Sequence, residues 1–359
     1  MKYPSLQPFS EILPQLAHYD AIIDVRSPLE FAEDHLPGAI NCPVLDDSQR
    51  VQVGTTYKTV SAFEAKKLGA ALVAKNIATH IEQQFLTYPQ DWKPLVYCWR
   101  GGNRSGAMAH ILARIGWPVT QLEGGYKAYR NHVNAELAVL PQGLNFNVLC
   151  GPTGSGKSRL LQVLASQGAQ VLDLEKLAAH RGSVLGDLPT ASQPSQKRFE
   201  SLLWQLLRTF DPARPIFVEA ESKKVGKLRV PDLLMEKMRA SPCTTIHLPI
   251  QYRVALLMQE YPHFISDPIS LNTQLDFLTH LHGKDKIAQW HQLALSGQTT
   301  ELVDELLRKH YDPGYLQSIK RNFMHLEQAT ALNLPDISDE TFQQAASQLN
   351  QATDITHSA

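Results

Sequence analysis

The 359 residues are too many for one typical domain and comfortable for two. Hydrophobic residues make up 43% and charged residues 19%, an ordinary globular composition that excludes global disorder. Thirty-four Lys plus Arg against 35 Asp plus Glu give a net charge of −1, so nucleic acid could be held only by a local basic face.

The N-terminal stretch MKYPSLQPFSEILPQLAHYD lacks the continuous apolar core of a signal peptide. No uninterrupted apolar run reaches the roughly 18 residues of a membrane span. Cys42, Cys98, Cys150 and Cys243 are widely spaced without a CxxC pair, which suits a reducing cytoplasm better than a disulfide scaffold or a zinc site. The histidines show no metal-ligand pattern; the nearest pair, His280 and His282, reads as solvated helix residues. The expectation is a cytoplasmic protein with no bound metal and no membrane contact.

Along the chain, AIIDV (21–25) is a short buried strand. Ser27 caps a short helix, Pro37-Gly38 turns, and AINC forms a brief strand. The segment from Ser61 to Phe85 is helical. PLVYC (94–98) is a second buried strand, SGAMAHILARIG (105–116) a helix stopped by Gly116, and PVTQLEGG a strand ending in a glycine turn. YKAYRNHVNAELAVL is helical. Pro141-Gln142-Gly143 is a joint, after which the pattern restarts. NFNVLC (145–150) is a strand, GKSRLLQVLASQG a helix and AQVLDLE a strand. KRFESLLWQLLRTF is a helix, and PIFVEA (215–220) and CTTIHLPI (243–250) are strands. From Tyr252 onward the pattern is mostly amphipathic helix. Strands alternating with helices imply parallel sheets. The fold class is therefore α/β, with one parallel-sheet domain over 1–139 and a second over 144–359 that carries a helical C-terminal extension.

VYCWRGGNRSG (96–106) places Cys98 where a strand ends and a loop opens toward a helix N-terminus. Backbone N–H groups and the helix dipole stabilise a thiolate there, and the expectation is an exposed sulfur at the mouth of an amide-lined ring. Gly101 and Gly102 let the amides of the loop Trp99, Arg100, Gly101, Gly102, Asn103, Arg104, Ser105 turn around an anion, and Arg100 and Arg104 add positive charge. This suits group transfer through a covalent cysteine adduct. Cys42, Cys150 and Cys243 have no such neighbours and read as packed thiols.

DVRSPLEFAEDHLPGAIN (24–41), YCWRGGNRSG and LEGGYKAY (122–129) together resemble a rhodanese homology domain, in which the cysteine carries a persulfide. Many members have four residues between Cys and Arg. Here WRGGN makes five, a ring that resembles the phosphatase signature and leaves room for a phosphate-sized oxyanion. Tyr97 stands where dual-specificity phosphatases usually have His.

GPTGSGKS (151–158) matches GxxxxGK followed by Ser or Thr, after a strand and opening a helix, the context that supports a phosphate loop. The amides of Gly151, Thr153, Gly154, Ser155 and Gly156 face phosphates, Lys157 supplies a point charge, and Ser158 can reach Mg²⁺. Asp173, ending one strand, and Glu219, ending another, compete for the carboxylate that orients Mg²⁺ or water. Arg159, Arg181 and Arg198 are arginine-finger candidates. The loop would hold an ATP tail or an isoprenoid diphosphate with the same atoms. SKKVGKLRV (222–230) gathers Lys223, Lys224, Lys227 and Arg229 into the densest basic patch, a solvated loop or a contact for an anionic polymer such as RNA.

Both halves together, with DLEKLAAHRGSVLG (173–186) and FVEAES, resemble the tRNA 2-selenouridine synthases over nearly the whole chain up to the final helices. The resemblance implies a rhodanese-like domain followed by a P-loop NTPase-like domain. It further implies transferase chemistry at a wobble 2-thiouridine of tRNA, geranylated with geranyl diphosphate and then converted to 2-selenouridine with selenophosphate. In that scheme Cys98 carries selenium as an S-selanyl adduct, and no cofactor is tightly bound. Two other classes stay open on the residues alone: a P-loop kinase or ATPase regulated by an inactive rhodanese module, and a thiosulfate-type sulfurtransferase. The apolar faces over 200–210 and 252–258 are candidates for a geranyl pocket.

Overall fold

The computed structural model describes residues 3–183, 185–189 and 191–355. It divides into two units, Met1–Glu136 with Ser195–Gln205, and Leu137–Pro194 with Leu206–Ala359. The sequence places a single joint near Pro141; it does not foresee that Ser195–Gln205, most of an amphipathic helix, counts with the first unit. Polar anchors tie that helix down: Ser201 Oγ donates to Asp34 Oδ2 at 2.8 Å and Lys197 Nζ meets Glu33 at 2.6 Å.

The first unit is built on a five-stranded parallel sheet: β1 (Ser5–Gln7), β2 (Ala21–Asp24), β3 (Ala39–Asn41), β4 (Pro94–Tyr97) and β5 (Thr120–Leu122), in the order β1-β5-β4-β2-β3. β4 is buried at every residue, as expected of a parallel strand with both faces covered. Ile23, Val96, Phe85, Met108, Leu112 and Trp117 share its core. Chain order reverses between neighbouring β2 and β4, so the crevice beyond their carboxyl ends is where a doubly wound sheet places its ligand. β1 is too short to show a periodicity, and the sequence reading omits it.

The second unit carries another five-stranded parallel sheet. Its strands are β6 (Phe146–Cys150), β7 (Gln170–Leu172), β8 (Ile216–Glu219), β11 (Cys243–His247) and β12 (Thr330–Asn333), in the order β12-β11-β6-β8-β7. β9 (Lys224–Val225) and β10 (Leu228–Arg229) form a separate antiparallel hairpin. β12 adds a strand to the mostly helical pattern expected after Tyr252. TALN has little strand character by itself, but β11 offers it an open edge, with Ile246 opposite Leu332. The rest of the extension is helical and closes a core of its own around Trp290, Leu275, Leu278 and Leu302. Among the described residues no helix is long and apolar enough to cross a membrane.

Candidate active sites

Cys98 directly follows β4, and the helix Asn103–Ile115 begins just beyond the loop. Its side chain is only 4% exposed and shares the core of Val96 and Met108. The sequence reading expects an exposed sulfur. The difference arises because Cys98 continues a strand that is buried throughout, whereas Arg100, Gly102 and Asn103 of the loop are exposed.

The sulfur has a polar partner at this depth. Ser105 Oγ donates to Cys98 Sγ at 3.2 Å, and Gln121 Nε2 donates to Ser105 Oγ at 3.1 Å and to the Gly101 carbonyl at 2.7 Å. A donor held in this way gives the sulfur one fixed hydrogen bond inside the core. The amide protons of Arg100, Gly101 and Gly102 meet no acceptor among the described residues, which leaves them for an anion.

The LEGG turn fixes the loop from behind. The Tyr126 amide donates to the Cys98 carbonyl at 2.8 Å and the Lys127 amide to that of Trp99 at 3.0 Å. Gly125 has φ +57°, and a Cβ there would lie 2.2 Å from the Cys98 carbonyl oxygen, so this approach requires glycine.

The two loop arginines differ. Arg104 forks onto Glu30, with contacts of 2.6 and 3.2 Å, and Glu30 also accepts from the Ser27 amide at the start of the helix Pro28–Glu33. Burial opposes ionisation of Glu30, but Arg104 and that amide outweigh it and hold the carboxyl below its ordinary value. Arg104 is thereby committed to positioning the loop. Arg100 is exposed and carries no ion pair among the described residues. Sequence reasoning missed Gln121 and Glu30, which reach the loop only through the fold.

In the second unit, residues 151–156 connect β6 to the helix Lys157–Ser166, with Gly154 at φ +74° and Gly156 at φ +85°. Lys157 Nζ donates to the Gly151 carbonyl at 2.6 Å, where a phosphate oxygen would compete for it. Thr153 is fixed by Arg253, whose Nε and Nη2 donate to its carbonyl at 3.0 and 2.7 Å while the same guanidinium pairs with Asp312 at 2.6 Å. Ser155 is buried and its hydroxyl lacks a partner among the described residues.

Neither carboxylate singled out in the sequence meets Ser158. Asp173 caps the short helix Leu174–Ala178, accepting from the Lys176 amide at 2.8 Å. Glu219 is fully buried and accepts from the Glu175 amide at 3.0 Å. The partner of Ser158 is Glu175, whose Oε2 accepts from Ser158 Oγ at 3.0 Å. Glu175 and Glu221 stand in DLEKL and VEAES, but nothing in one-dimensional order ranks them above Asp173 and Glu219. Gly182 touches both, since a Cβ there would lie 2.8 Å from Glu221 Oε1 and 2.9 Å from Glu175 Oε1.

Burial, then crowding by Asp173, Glu175 and Glu221, pushes Glu219 well up. Burial and the neighbouring Glu175 push Glu221 to about 8. Glu175 is raised by burial, against the pull of Lys157. The cluster opens on a cavity of about 830 Å³ shared by Lys157, Ser158, Arg181 and Tyr315. Of the arginine candidates, Arg181 and Arg159 both line this cavity, and Arg159 is also tied to Asp339 at 2.6 Å. Arg198 counts with the first unit, 3.9 Å from Asp34. Val184, in the 173–186 stretch, lies outside the described residues.

The basic patch is the β9–β10 hairpin, turned at Gly226 with φ +59°. Its four basic side chains are all exposed. Asp232 pairs with Lys223 at 2.8 Å and with Arg229 at 3.1 Å. Lys224 and Lys227 carry no ion pair among the described residues, while Lys223 and Arg229 share the one carboxylate of Asp232.

The rhodanese-like domain family model matches residues 10–132, and the model described as the tRNA 2-selenouridine synthase AAA domain matches residues 144–331. A protein of Nitrosomonas europaea named tRNA 2-selenouridine synthase is 34% identical, over 84% of this chain and 76% of the relative. One of Sulfurovum sp. with the same name is 32% identical over 87% and 94%, respectively. Another, of Bdellovibrio bacteriovorus, is 31% identical over 84% and 89%. These matches run through the thiol loop and the phosphate loop in one chain, and with them the protein belongs to the tRNA 2-selenouridine synthase family.

Proposed function

We propose that the protein converts wobble 2-thiouridine of tRNA into 2-selenouridine through an S-geranylated intermediate, drawing on geranyl diphosphate and selenophosphate. Family membership makes it an enzyme, a tRNA-modifying transferase; the substrates and the division of labour are our reading. The observation that carries it is the presence in one chain of a hydroxyl-supported thiol under unpaired loop amides and of a glycine-built phosphate loop with Lys157 at a helix start.

In the first step the thiouridine sulfur attacks C1 of the geranyl chain. The C–O bond to diphosphate breaks, and the leaving diphosphate is held by the amides of 151–156, Lys157 and Ser158. A Mg²⁺ ion would be held by Ser158 and Glu175 together with diphosphate oxygens, which suits a cation that takes one or two carboxylates plus phosphate. Alkylation makes C2 electrophilic and turns the sulfur into a leaving group. The selenium of selenophosphate then adds at C2, the C–S bond breaks and geranylthiol departs with a proton, and water cleaves the Se–P bond to release phosphate. Cys98 carries the selenium to C2 as bound selenophosphate, lying against its selenium end while Ser105 and the Arg100–Gly102 amides hold the anionic phosphate end, so selenium stays at the selenide level and no oxidant or reductant is needed.

Mass spectrometry of wobble nucleosides from tRNA incubated with the protein, geranyl diphosphate and selenophosphate tests this. Cys98→Ser should lose 2-selenouridine and still make S-geranyl-2-thiouridine. Selenouridine from the cysteine variant would remove the carrier role, and absence of the geranylated nucleoside from every reaction would remove the two-step scheme.

A further inference from the structure

Beside the phosphate loop lies a second cavity, of about 60 Å³, among the helices of the C-terminal extension. Its far side is Met258, Phe264, Leu302, Val303 and Leu306, and beyond the wall it shares with the phosphate cavity Thr299 gives the only hydroxyl among the described residues. A cavity of this size has space for about four to six water molecules, but walls that are mostly hydrocarbon offer them few partners, so it favours an apolar occupant.

Thr153, Ser183, Leu257, Tyr261 and Tyr311 line both cavities. Leu257 is the partition. It packs on the phosphate loop itself, since a Cβ at Gly154 would come within 3.0 Å of Leu257 Cγ and Cδ1. One ligand that fills both spaces needs an anionic head and a short hydrocarbon tail joined directly to it. A nucleotide base in this cavity would set its ring nitrogens and exocyclic groups against walls that are mostly hydrocarbon, with few groups to hydrogen-bond them.

We infer that this cavity is the tail site for a prenyl diphosphate whose head sits on the phosphate loop, and that its size selects a chain of one or two isoprene units. The inference rests on the diphosphate reading above. It places the tail against Leu257 and Met258, inside the 252–258 stretch expected from sequence, and away from 200–210.

Calorimetric titration of the full chain with inorganic diphosphate, dimethylallyl diphosphate, geranyl diphosphate and farnesyl diphosphate tests it. Geranyl diphosphate should bind at least about tenfold more tightly than inorganic diphosphate, because a buried chain gains affinity with each methylene. Val303→Trp fills the cavity and should erase that advantage while leaving inorganic diphosphate affinity unchanged. Lys157→Ala should weaken both. Val303→Ala enlarges the cavity and should raise farnesyl affinity relative to geranyl; this second readout decides the matter if the tryptophan variant does not fold. Should neither geranyl nor inorganic diphosphate bind the wild type, the diphosphate reading itself falls. If geranyl diphosphate binds, and a folded Val303→Trp keeps the tail advantage or Val303→Ala leaves chain-length preference unmoved, the cavity assignment is overturned and the diphosphate reading stands.

Discussion

Ser105 Oγ donates to Cys98 Sγ at 3.2 Å, and both residues are buried. A sulfur at the end of an apolar strand therefore keeps one hydrogen-bond donor, aligned in turn by Gln121. A hydrogen bond to a charged acceptor contributes about 1.5–3 kcal/mol. Ser105→Ala should slow alkylation of Cys98 by iodoacetamide about tenfold or more at pH 7. An unchanged rate would show that the hydroxyl does not support the reacting sulfur.

Gly125 is the residue on which the thiol loop closes. A methyl at this position meets the Cys98 carbonyl at 2.2 Å, and φ +57° is itself unfavourable for alanine. Gly125→Ala should destabilise the protein by about 2–4 kcal/mol in urea titration and expose Cys98 to thiol reagents, because backbone must move to admit the side chain. A variant with wild-type stability and thiol protection would contradict the close approach.

In the proposed scheme Lys157 holds the diphosphate and takes no part in the selenium step. Lys157→Ala should cut S-geranylation at least about a hundredfold, the scale of losing a charge on a departing phosphate group. Starting instead from tRNA that is already S-geranylated, the same variant should form selenouridine at the wild-type rate. Equal loss from both starting tRNAs would contradict the separation of the two loops.

The acidic cluster predicts a pH dependence of stability. Glu221, pushed to about 8 by burial and by Glu175, binds its proton more tightly in the folded protein than in the unfolded chain, where an ordinary glutamate lies near 4.5. Its contribution is therefore complete below about 4.5 and is lost as the pH rises through about 8, because the unfolded chain then carries fewer protons than the folded one. Glu219 and Glu175 shift in the same direction. Thermal melts without divalent cations should decline between pH 6 and pH 9, and Glu221→Gln should reduce that decline. An identical decline in the variant would remove Glu221 as its source.

Of the basic hairpin, Lys224 and Lys227 are the charges that Asp232 leaves unpaired. Lys224→Glu with Lys227→Glu should weaken tRNA binding and lower the slope of log affinity against log salt by about two, roughly one for each phosphate that is no longer neutralised. A slope equal to that of the wild type would assign tRNA binding to another face.

Local order determined much of this protein. The apolar run 94–98 specified a buried parallel strand because no solvent-facing alternation interrupts it, and residues 148–150 marked a second one behind the less regular 145–147. The glycines and charged residues that follow each run marked both loops, since those residue types have no packing use at a strand end. Two short stretches were not legible: Ser5–Gln7 and Thr330–Asn333 become strands only because a neighbouring strand offers them an edge. The tertiary structure alone decided which acid meets Ser158, because Asp173, Glu175, Glu219 and Glu221 come together from different strand ends and only their depth and direction separate a helix cap from a site carboxylate. It also decided that Arg104 serves Glu30 and that Cys98 is covered. Burial and pairing are properties of distance in space, to which sequence separation is no guide.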